Sequence, residues 1–273
     1  MLKSTEPIAA LPMYDFPDLR DAHDRLWDAL ALRLRDGGVS PLPRGLTRTS
    51  SHFQVWAHPG LLLGQACEYP VAKSFADRLT IVATPRYSAP GCIGTSYRSA
   101  IVVRAEDSAN TLEDLRDRRC VMNEPDSNSG MNLFRAALAP LAGGARFFQS
   151  VLISGSHRAS LELVAAGEAD VTAIDCITLA HLRRFATHLA SQLKVIDWTP
   201  ASPCLPYVTS HRTDRETLAR LRSAITDVLA DPELAPVREL LFLVGVDLKP
   251  DTSFRRVRAL ELDAQHWRYP VLL

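Results

Sequence analysis

Two short polar segments decide how this chain folds. The first is Asn123-Glu124-Pro125-Asp126-Ser127-Asn128-Ser129-Gly130, and the second, further along the chain, is Ser154-Gly155-Ser156-His157. Each lies between a short apolar run, residues 119–122 or 151–153, and a helical pattern. A loop that leads from a strand into a helix presents backbone N–H groups and hydroxyls at the helix N-terminus. Two such loops in consecutive β-α units predict a site for one small oxyanion.

Strand and helix patterns alternate outward from these segments along most of the chain. Strands are predicted at residues 8–13, 61–63, 79–83, 100–104, 119–122, 151–153, 171–174 and 194–196. Helices are predicted at residues 18–35, 112–116, 131–142, 159–166, 177–189, 215–229 and 233–244. Such alternation predicts an α/β fold with parallel or mixed sheets and crossover helices.

The motifs also resemble those of a known family. The order NEPxSxSG, then SGSH, then GEADVTAID at residues 167–175, is similar to that of the substrate-binding proteins of phosphate, phosphite and phosphonate ABC transporters, the PhnD-like family. The resemblance implies a bilobal α/β fold of the type II periplasmic-binding-protein class, with two lobes joined by two crossing strands. It also implies non-catalytic binding of a phosphate- or phosphonate-like anion, with an ABC permease as partner.

The resemblance further implies a domain organisation. Two extended segments, residues 97–104 and 194–198, bracket a middle block, where the family's chain crosses between lobes. Lobe one is therefore predicted at 1–99 and 200–273, and lobe two, which carries the anion loops, at 100–199. We expect the ligand in the interlobe cleft. Residues 252–273 show no repeating period and are predicted to pack on lobe one.

Lobe two supplies most of the predicted ligand-binding residues. Ser127, Asn128 and Ser129 stand where the family has a Ser-Thr-Ser anion loop, so Asn128 replaces a threonine. The alternative for these residues is a plain helix N-cap. His157 is predicted to donate a charge-assisted hydrogen bond to the oxyanion. Asp175 is predicted to accept a proton from a P–OH group or to pair with a ligand amine, and its alternative is a helix cap.

Aromatic and amide side chains predicted in lobe one complete the candidate site. Tyr14, Gln65 and Tyr97 are expected to contact the ligand, because a tyrosine hydroxyl suits an oxyanion and its ring can cover an organic substituent. No catalytic residue, cofactor or metal site is predicted. The five cysteines are odd in number and show neither CxxC nor Cys/His ligand spacing, which predicts reduced and mostly buried thiols.

The composition of the chain argues against nucleic acid and the membrane interior as binding partners. The formal net charge is zero at pH 7, which disfavours nucleic acid as a partner. No apolar run reaches the roughly 20 residues of a membrane span, so no membrane insertion is expected. The N-terminus has no apolar signal segment, which predicts a cytoplasmic protein as written. A chain beginning at its mature residue would look the same, and it would be periplasmic.

Two further functions remain open from the sequence. A cytoplasmic ligand sensor or interaction module would fit the absent signal segment. An enzyme on the same fold would need a nucleophile and a base, and His157 with Ser129 or Cys176 is the only such arrangement that the sequence allows. No GxSxG, P-loop or GxGxxG motif supports turnover.

Overall fold

The computed structural model describes residues 6–48, 51–248 and 253–273 of the chain. The chain divides into two compact units. The first comprises Met1–Ser88 with Pro203–Thr252, and the second comprises Ala89–Ser202 with Ser253–Leu273. Each unit contains a five-stranded sheet and helices, which confirms the predicted α/β class.

The strands are short. In chain order they are β1 (Ile8–Ala10), β2 (Leu61–Gln65), β3 (Leu79–Tyr87), β4 (Ser96–Tyr97), β5 (Ser99–Arg104), β6 (Arg119–Met122), β7 (Ser150–Ile153), β8 (Val171–Asp175), β9 (Leu193–Trp198), β10 (Ser202–Pro203), β11 (Tyr207–Ser210) and β12 (Leu243–Asp247).

Ten α-helices are assigned within the described residues. They are α1 (Arg20–Asp36), α2 (His52–Trp56), α3 (Glu68–Ser74), α4 (Leu133–Ala142), α5 (His157–Ala165), α6 (Cys176–Phe185), α7 (Thr187–Ser191), α8 (Arg215–Ala230), α9 (Ala235–Leu240) and α10 (Ser253–His266). Short 3₁₀ turns occupy Pro17–Leu19, Glu113–Leu115 and Pro232–Leu234.

The first unit is built on a sheet of order β1-β2-β11-β3-β12. Strands β1 and β2 are parallel, whereas β11 runs antiparallel to both β2 and β3. Helix α1 buries Leu26, Leu30 and Leu34, which recur every four residues and so form one apolar face. Helix α1 packs on α8, and α8 packs on strands β3 and β12 of the sheet.

The second unit is built on a sheet of order β7-β6-β8-β5-β9. Strand β6 pairs in parallel with both β7 and β8, while β5 runs antiparallel to β8 and β9. Helices α5 and α6 cover the sheet through a core that includes Leu161, Ile174 and Leu182. The three parallel strands therefore end at the same edge, and the predicted anion loops follow two of them.

The buried carboxylate of Asp170 joins the N-terminal ends of strands β6 and β8. Asp170, just before β8, accepts hydrogen bonds from the backbone N–H of Arg119 at 2.9 Å and from its guanidinium at 2.7 Å. Burial alone would raise the pKa of Asp170, but the hydrogen bonds from Arg119 and Arg104 lower it to about 2. The ion pair thus aligns β6 with β8.

The C-terminal segment corrects one domain prediction. Residues 253–273 belong to the second unit and not to the first, because Leu273 O accepts hydrogen bonds from Phe147 N and Phe148 N. This segment is also not aperiodic, since it contains α10. Most of the described side chains of α10 are exposed, and Val257 and Ala264 are buried.

Two predicted helices are also corrected. The segment 233–244 contains α9 only as far as Leu240, after which the chain enters strand β12. Strand β12 pairs with β3, so sheet pairing prevails over the helical pattern of its apolar residues. Residues 112–116 form a 3₁₀ turn instead of an α-helix.

Candidate functional site

The two polar loops meet at one edge of the second unit's sheet. Because β6 and β7 are in parallel register, with Met122 opposite Ile153, their following loops start side by side. The backbone N–H of Ser154 donates to Met122 O at 2.9 Å, and that of Gly155 donates to Asn123 O at 2.8 Å. The loop after β6 is therefore hydrogen-bonded directly to the loop after β7.

The first loop enters its helix through a single π-helical turn, Asn128–Asn132. The N–H of Asn132 donates to Ser127 O at 3.0 Å, an i to i+5 bond, and Ser127 Oγ accepts from the N–H of Gly130 at 3.0 Å. The sequence predicted an ordinary helix start at Met131, and this wider turn is a correction. Single π-turns are uncommon and concentrate at functional sites.

Ser129 and His157 join the two loops through their side chains. Ser129 Oγ lies 2.7 Å from His157 Nε2, and Ser127 Oγ lies 3.5 Å from Ser129 Oγ. His157 is the first residue of α5, which is capped by Ser156 through a hydrogen bond from the N–H of Ala159 to Ser156 Oγ. Residues from both predicted loops therefore form one cluster of hydroxyls at a helix N-terminus.

Gly130 allows the loops to approach this closely. A Cβ atom at this position would lie 1.9 Å from Asn123 Oδ1 and 3.2 Å from His157 Cε1. Real Cβ atoms do not approach an oxygen at 1.9 Å, so any other residue here must displace Asn123 and press on His157. Gly130 therefore permits the close packing of the first loop against the second.

His157 is held as a neutral imidazole. Burial lowers its pKa to about 4, so the ring carries no charge near neutral pH. The charge-assisted hydrogen bond from His157 to an oxyanion stays a prediction. His157 Nδ1 is buried and makes no hydrogen bond within residues 6–48, 51–248 and 253–273. A proton on Nδ1 would leave a buried N–H without an acceptor, so Nε2 carries the proton and donates to Ser129 Oγ. The Ser129 hydroxyl hydrogen is then available to a different acceptor.

Asn128 uses its side-chain amide within the protein. Its Nδ2 donates to Tyr97 OH at 3.1 Å and to Ser202 Oγ at 2.9 Å, and its Oδ1 accepts from Asn132 Nδ2 at 2.9 Å. Asn128 and Tyr97 are almost completely buried, at 1% and 0% exposure. The Asn128 side chain therefore ties the loop 123–130 to Tyr97 and Ser202, while a ligand role for Asn128 or Tyr97 stays a prediction.

Asn132 and Arg135 extend this network and were not identified from the sequence. Arg135 donates to Asn132 Oδ1 at 2.6 Å and to Pro270 O at 2.6 Å, while Asn132 Nδ2 also donates to Val257 O at 3.3 Å. Both side chains are buried. Asn128, Asn132 and Arg135 recur at helical spacing on one face of an otherwise apolar segment. That polar face is the signal by which they could have been found.

Asp175 lies at the end of β8 and caps α6. Its Oδ1 accepts hydrogen bonds from the N–H groups of Ile177 at 2.8 Å and Thr178 at 3.0 Å, and the residue is 2% exposed. The capping alternative is therefore present in the structure. Contact between Asp175 and a ligand stays a prediction.

Tyr14 and Gln65 lie in the first unit, where both contact Tyr87. The rings of Tyr14 and Tyr87 meet edge to face with centroids 5.7 Å apart, and Gln65 Nε2 donates to Tyr87 OH at 2.9 Å. Both residues are buried. Their predicted contact with a ligand, and the predicted interlobe cleft, stay predictions. Tyr97, predicted in lobe one, belongs to the second unit.

The neutral state of His157 predicts a pH dependence of stability. In the unfolded chain the ring has its usual pKa of 6.5, whereas in the folded chain the pKa is about 4. Between these values the unfolded state binds more protons, so the free energy of unfolding falls as the pH falls. The full shift corresponds to about 3 kcal/mol, and partial exposure of the ring reduces the expected loss to about 1–2 kcal/mol.

Denaturant unfolding between pH 7 and pH 4 measures this loss as a difference between variants. His157→Gln should show a shallower pH dependence than the parent chain. His188→Gln, at an exposed histidine in α7, should keep the parental slope. Equal slopes in the parent and His157→Gln would show that folding does not shift the pKa of His157.

Comparisons with known proteins identify the class and then the family. Structures similar to this chain include a phosphonate ABC transporter binding component, PA3383 from Pseudomonas aeruginosa (TM-score 0.76, 17% identity, 97% of this chain and 88% of that chain). XAC2383 from Xanthomonas citri bound to ATP is also similar (TM-score 0.72, 16% identity, 97% of this chain and 98% of that chain). A third similar structure is PhnD1 from Prochlorococcus marinus in complex with methylphosphonate (TM-score 0.73, 14% identity, 96% of this chain and 99% of that chain). The fold is that of the type II periplasmic binding proteins.

A family model assigns the chain within this class. The model for the periplasmic substrate-binding protein of phosphonate ABC transporters matches residues 62–247, which is more than half of the chain. The chain therefore belongs to this family of substrate-binding proteins, as the motifs predicted. No curated protein sequence gives a significant match. Among the described residues, no helix is both long and apolar enough to cross a membrane.

Proposed function

We propose that this chain binds a small phosphonate- or phosphate-like oxyanion at the loops 123–130 and 154–157 of the second unit. The observation that carries the proposal is the 2.7 Å contact between Ser129 Oγ and His157 Nε2. This contact brings together two helix-start loops that follow adjacent parallel strands. Family membership supports the same conclusion independently.

The cluster offers several donors to one anion. Ser127 Oγ accepts from the N–H of Gly130, so its own hydroxyl hydrogen can be donated elsewhere. Ser129 Oγ accepts from His157, which leaves its hydroxyl hydrogen for the anion. The first-turn N–H groups of α5 add the favourable end of a helix dipole. A tetrahedral oxyanion presents several acceptor oxygens, and so it can accept these hydrogen bonds together.

The transport partner is part of the proposal. A substrate-binding protein of this family would deliver its ligand to the permease of an ABC transporter, and family membership supports that role. The compartment stays a prediction of the sequence. Cell fractionation with mass measurement of the native protein tests it.

Removing either of the two joined side chains should weaken anion binding. Ser129→Ala removes one donor to a charged acceptor, and His157→Ala removes the group that orients it. Each loss is worth about 1.5–3 kcal/mol, or roughly a 10- to 100-fold rise in Kd. Isothermal titration with phosphate and with methylphosphonate measures the change, and circular dichroism confirms that each variant is folded.

Two matched variants serve as controls. Ser191→Ala and His188→Ala alter exposed side chains in α7, in the same unit, and should leave Kd unchanged. Parental affinity in both Ser129→Ala and His157→Ala would remove the two loops from consideration as the binding site.

A ligand series identifies the preferred anion. Thermal unfolding with phosphate, phosphite, methylphosphonate, aminoethylphosphonate and sulfate ranks them, since a ligand raises stability with the logarithm of its excess over Kd. A preference for aminoethylphosphonate would support pairing of the ligand amine with a carboxylate, for which Asp175 is our candidate.

The Ser129–His157 pair also bears on the enzyme alternative. A serine nucleophile needs a base that a third group orients, as a carboxylate does in hydrolase triads. His157 Nδ1 makes no such hydrogen bond within the described residues, so the third member is missing from that part of the chain. A product assay with a phosphonate and with a phosphoester tests turnover directly.

A further inference from the structure

Two cysteines of the second unit lie in contact. Cys92 Sγ is 3.4 Å from Cys176 Sγ, although 84 positions separate them in the chain. Cys92 lies in the loop that precedes β4, and Cys176 is the first residue of α6, directly after Asp175. Both are thiols in the structure, as are Cys67, Cys120 and Cys204.

The backbone around this pair is closely packed. Gly91 has φ of +103°, and a Cβ at this position would lie 2.9 Å from Cys176 Cβ and 2.6 Å from the Trp198 ring. The loop therefore passes directly over Cys176 at a residue that needs to be glycine. The N–H of Cys176 in turn donates to Arg98 O at 3.2 Å. The sulfurs must approach to about 2.0 Å to bond, which thiol rotation and a small shift of the loop can supply.

We propose that Cys92 and Cys176 form a reversible disulfide by exchange with a low-molecular-weight disulfide such as oxidised glutathione. In the first step the Cys92 thiolate attacks one glutathione sulfur, and a mixed disulfide forms while one glutathione thiolate leaves. In the second step Cys176 loses its proton and attacks Cys92 Sγ, and the second glutathione leaves. Two thiol hydrogens pass from the protein to two glutathione molecules, so electrons and atoms balance.

The order of the two steps follows from exposure. Cys92 is partly exposed, whereas Cys176 is 1% exposed, so only Cys92 can meet the oxidant. The hydrogen bond with Cys92, followed by burial and the nearby Asp175, raises the pKa of the Cys176 thiol. Cys176 therefore remains a thiol until the mixed disulfide makes the neighbouring Cys92 Sγ an electrophile that it can attack.

Peptide mapping after oxidation tests the disulfide. The folded protein is treated with graded oxidised glutathione, alkylated and digested. We expect a linked Cys92–Cys176 peptide lighter than its two components by two hydrogen atoms, and the loss of two of the five thiols. The linkage closes a long loop, so Tm should rise by about 5 °C, and a reductant should reverse the rise.

Single cysteine variants test whether Cys92 and Cys176 cause the linked peptide and the rise in Tm. Cys92→Ser should abolish the linked peptide and the Tm rise, while Cys67→Ser, at another partly exposed cysteine, should retain both. A glutathione adduct that stays on Cys92, or a linkage between other cysteines, would overturn the proposal. Oxidation that leaves the Tm unchanged would also count against it.

Discussion

Gly130→Ala should abolish measurable anion binding while leaving the chain folded. The added Cβ overlaps Asn123 Oδ1 and presses on His157, so the contact between Ser129 and His157 opens. Because the two loops no longer hold Ser129 and His157 together, Kd should rise by more than about 100-fold. The strain of the added Cβ should lower the free energy of unfolding by about 1–3 kcal/mol. Titration calorimetry and denaturant unfolding measure the two effects.

Gly45→Ala is the matched control for this substitution. A Cβ at Gly45 meets no atom within 4 Å, so neither affinity nor stability should change. Parental affinity in Gly130→Ala would mean that the close approach of the two loops is not needed for binding.

Asn132→Ala should cause the largest loss of stability among the variants considered. The change removes the acceptor of Arg135 and the donor to Asn128, and all three side chains are buried. A buried guanidinium and a buried amide each lose a partner, so the free energy of unfolding should fall by about 3–5 kcal/mol. Guanidinium chloride unfolding followed by circular dichroism measures the loss.

Asn110→Ala provides the comparison for Asn132→Ala. Asn110 is exposed, and its side chain donates to Ser108 O, so its removal should cost less than about 0.5 kcal/mol. Similar losses in the two variants would show that the buried network contributes little to stability.

The sequence predicted the parts of the site that depend on local order. Strand-loop-helix units with Ser, Gly and His at the loop ends could be recognised because such loops use backbone groups and small residues. The α/β class followed in the same way from alternating patterns. These predictions need only the neighbours of each residue along the chain.

The sequence did not predict what depends on tertiary contact. The hydrogen bonds of the Asn128 side chain depend on Tyr97 and Ser202, which are distant in the chain. The neutral state of His157 results from burial, which no motif specifies. Helix α10 was missed because, among its described side chains, only Val257 and Ala264 are fully buried.

The return of residues 253–273 to the second unit has a consequence during synthesis on the ribosome. Residues 203–252 must be translated between the two parts of this unit. Until Pro270 and Leu273 have been translated, Arg135 has no Pro270 O to bond, and the N–H groups of Phe147 and Phe148 have no Leu273 O. The strands and polar loops of the second unit can therefore emerge early, but their supporting contacts form only after residues 270–273 have been made.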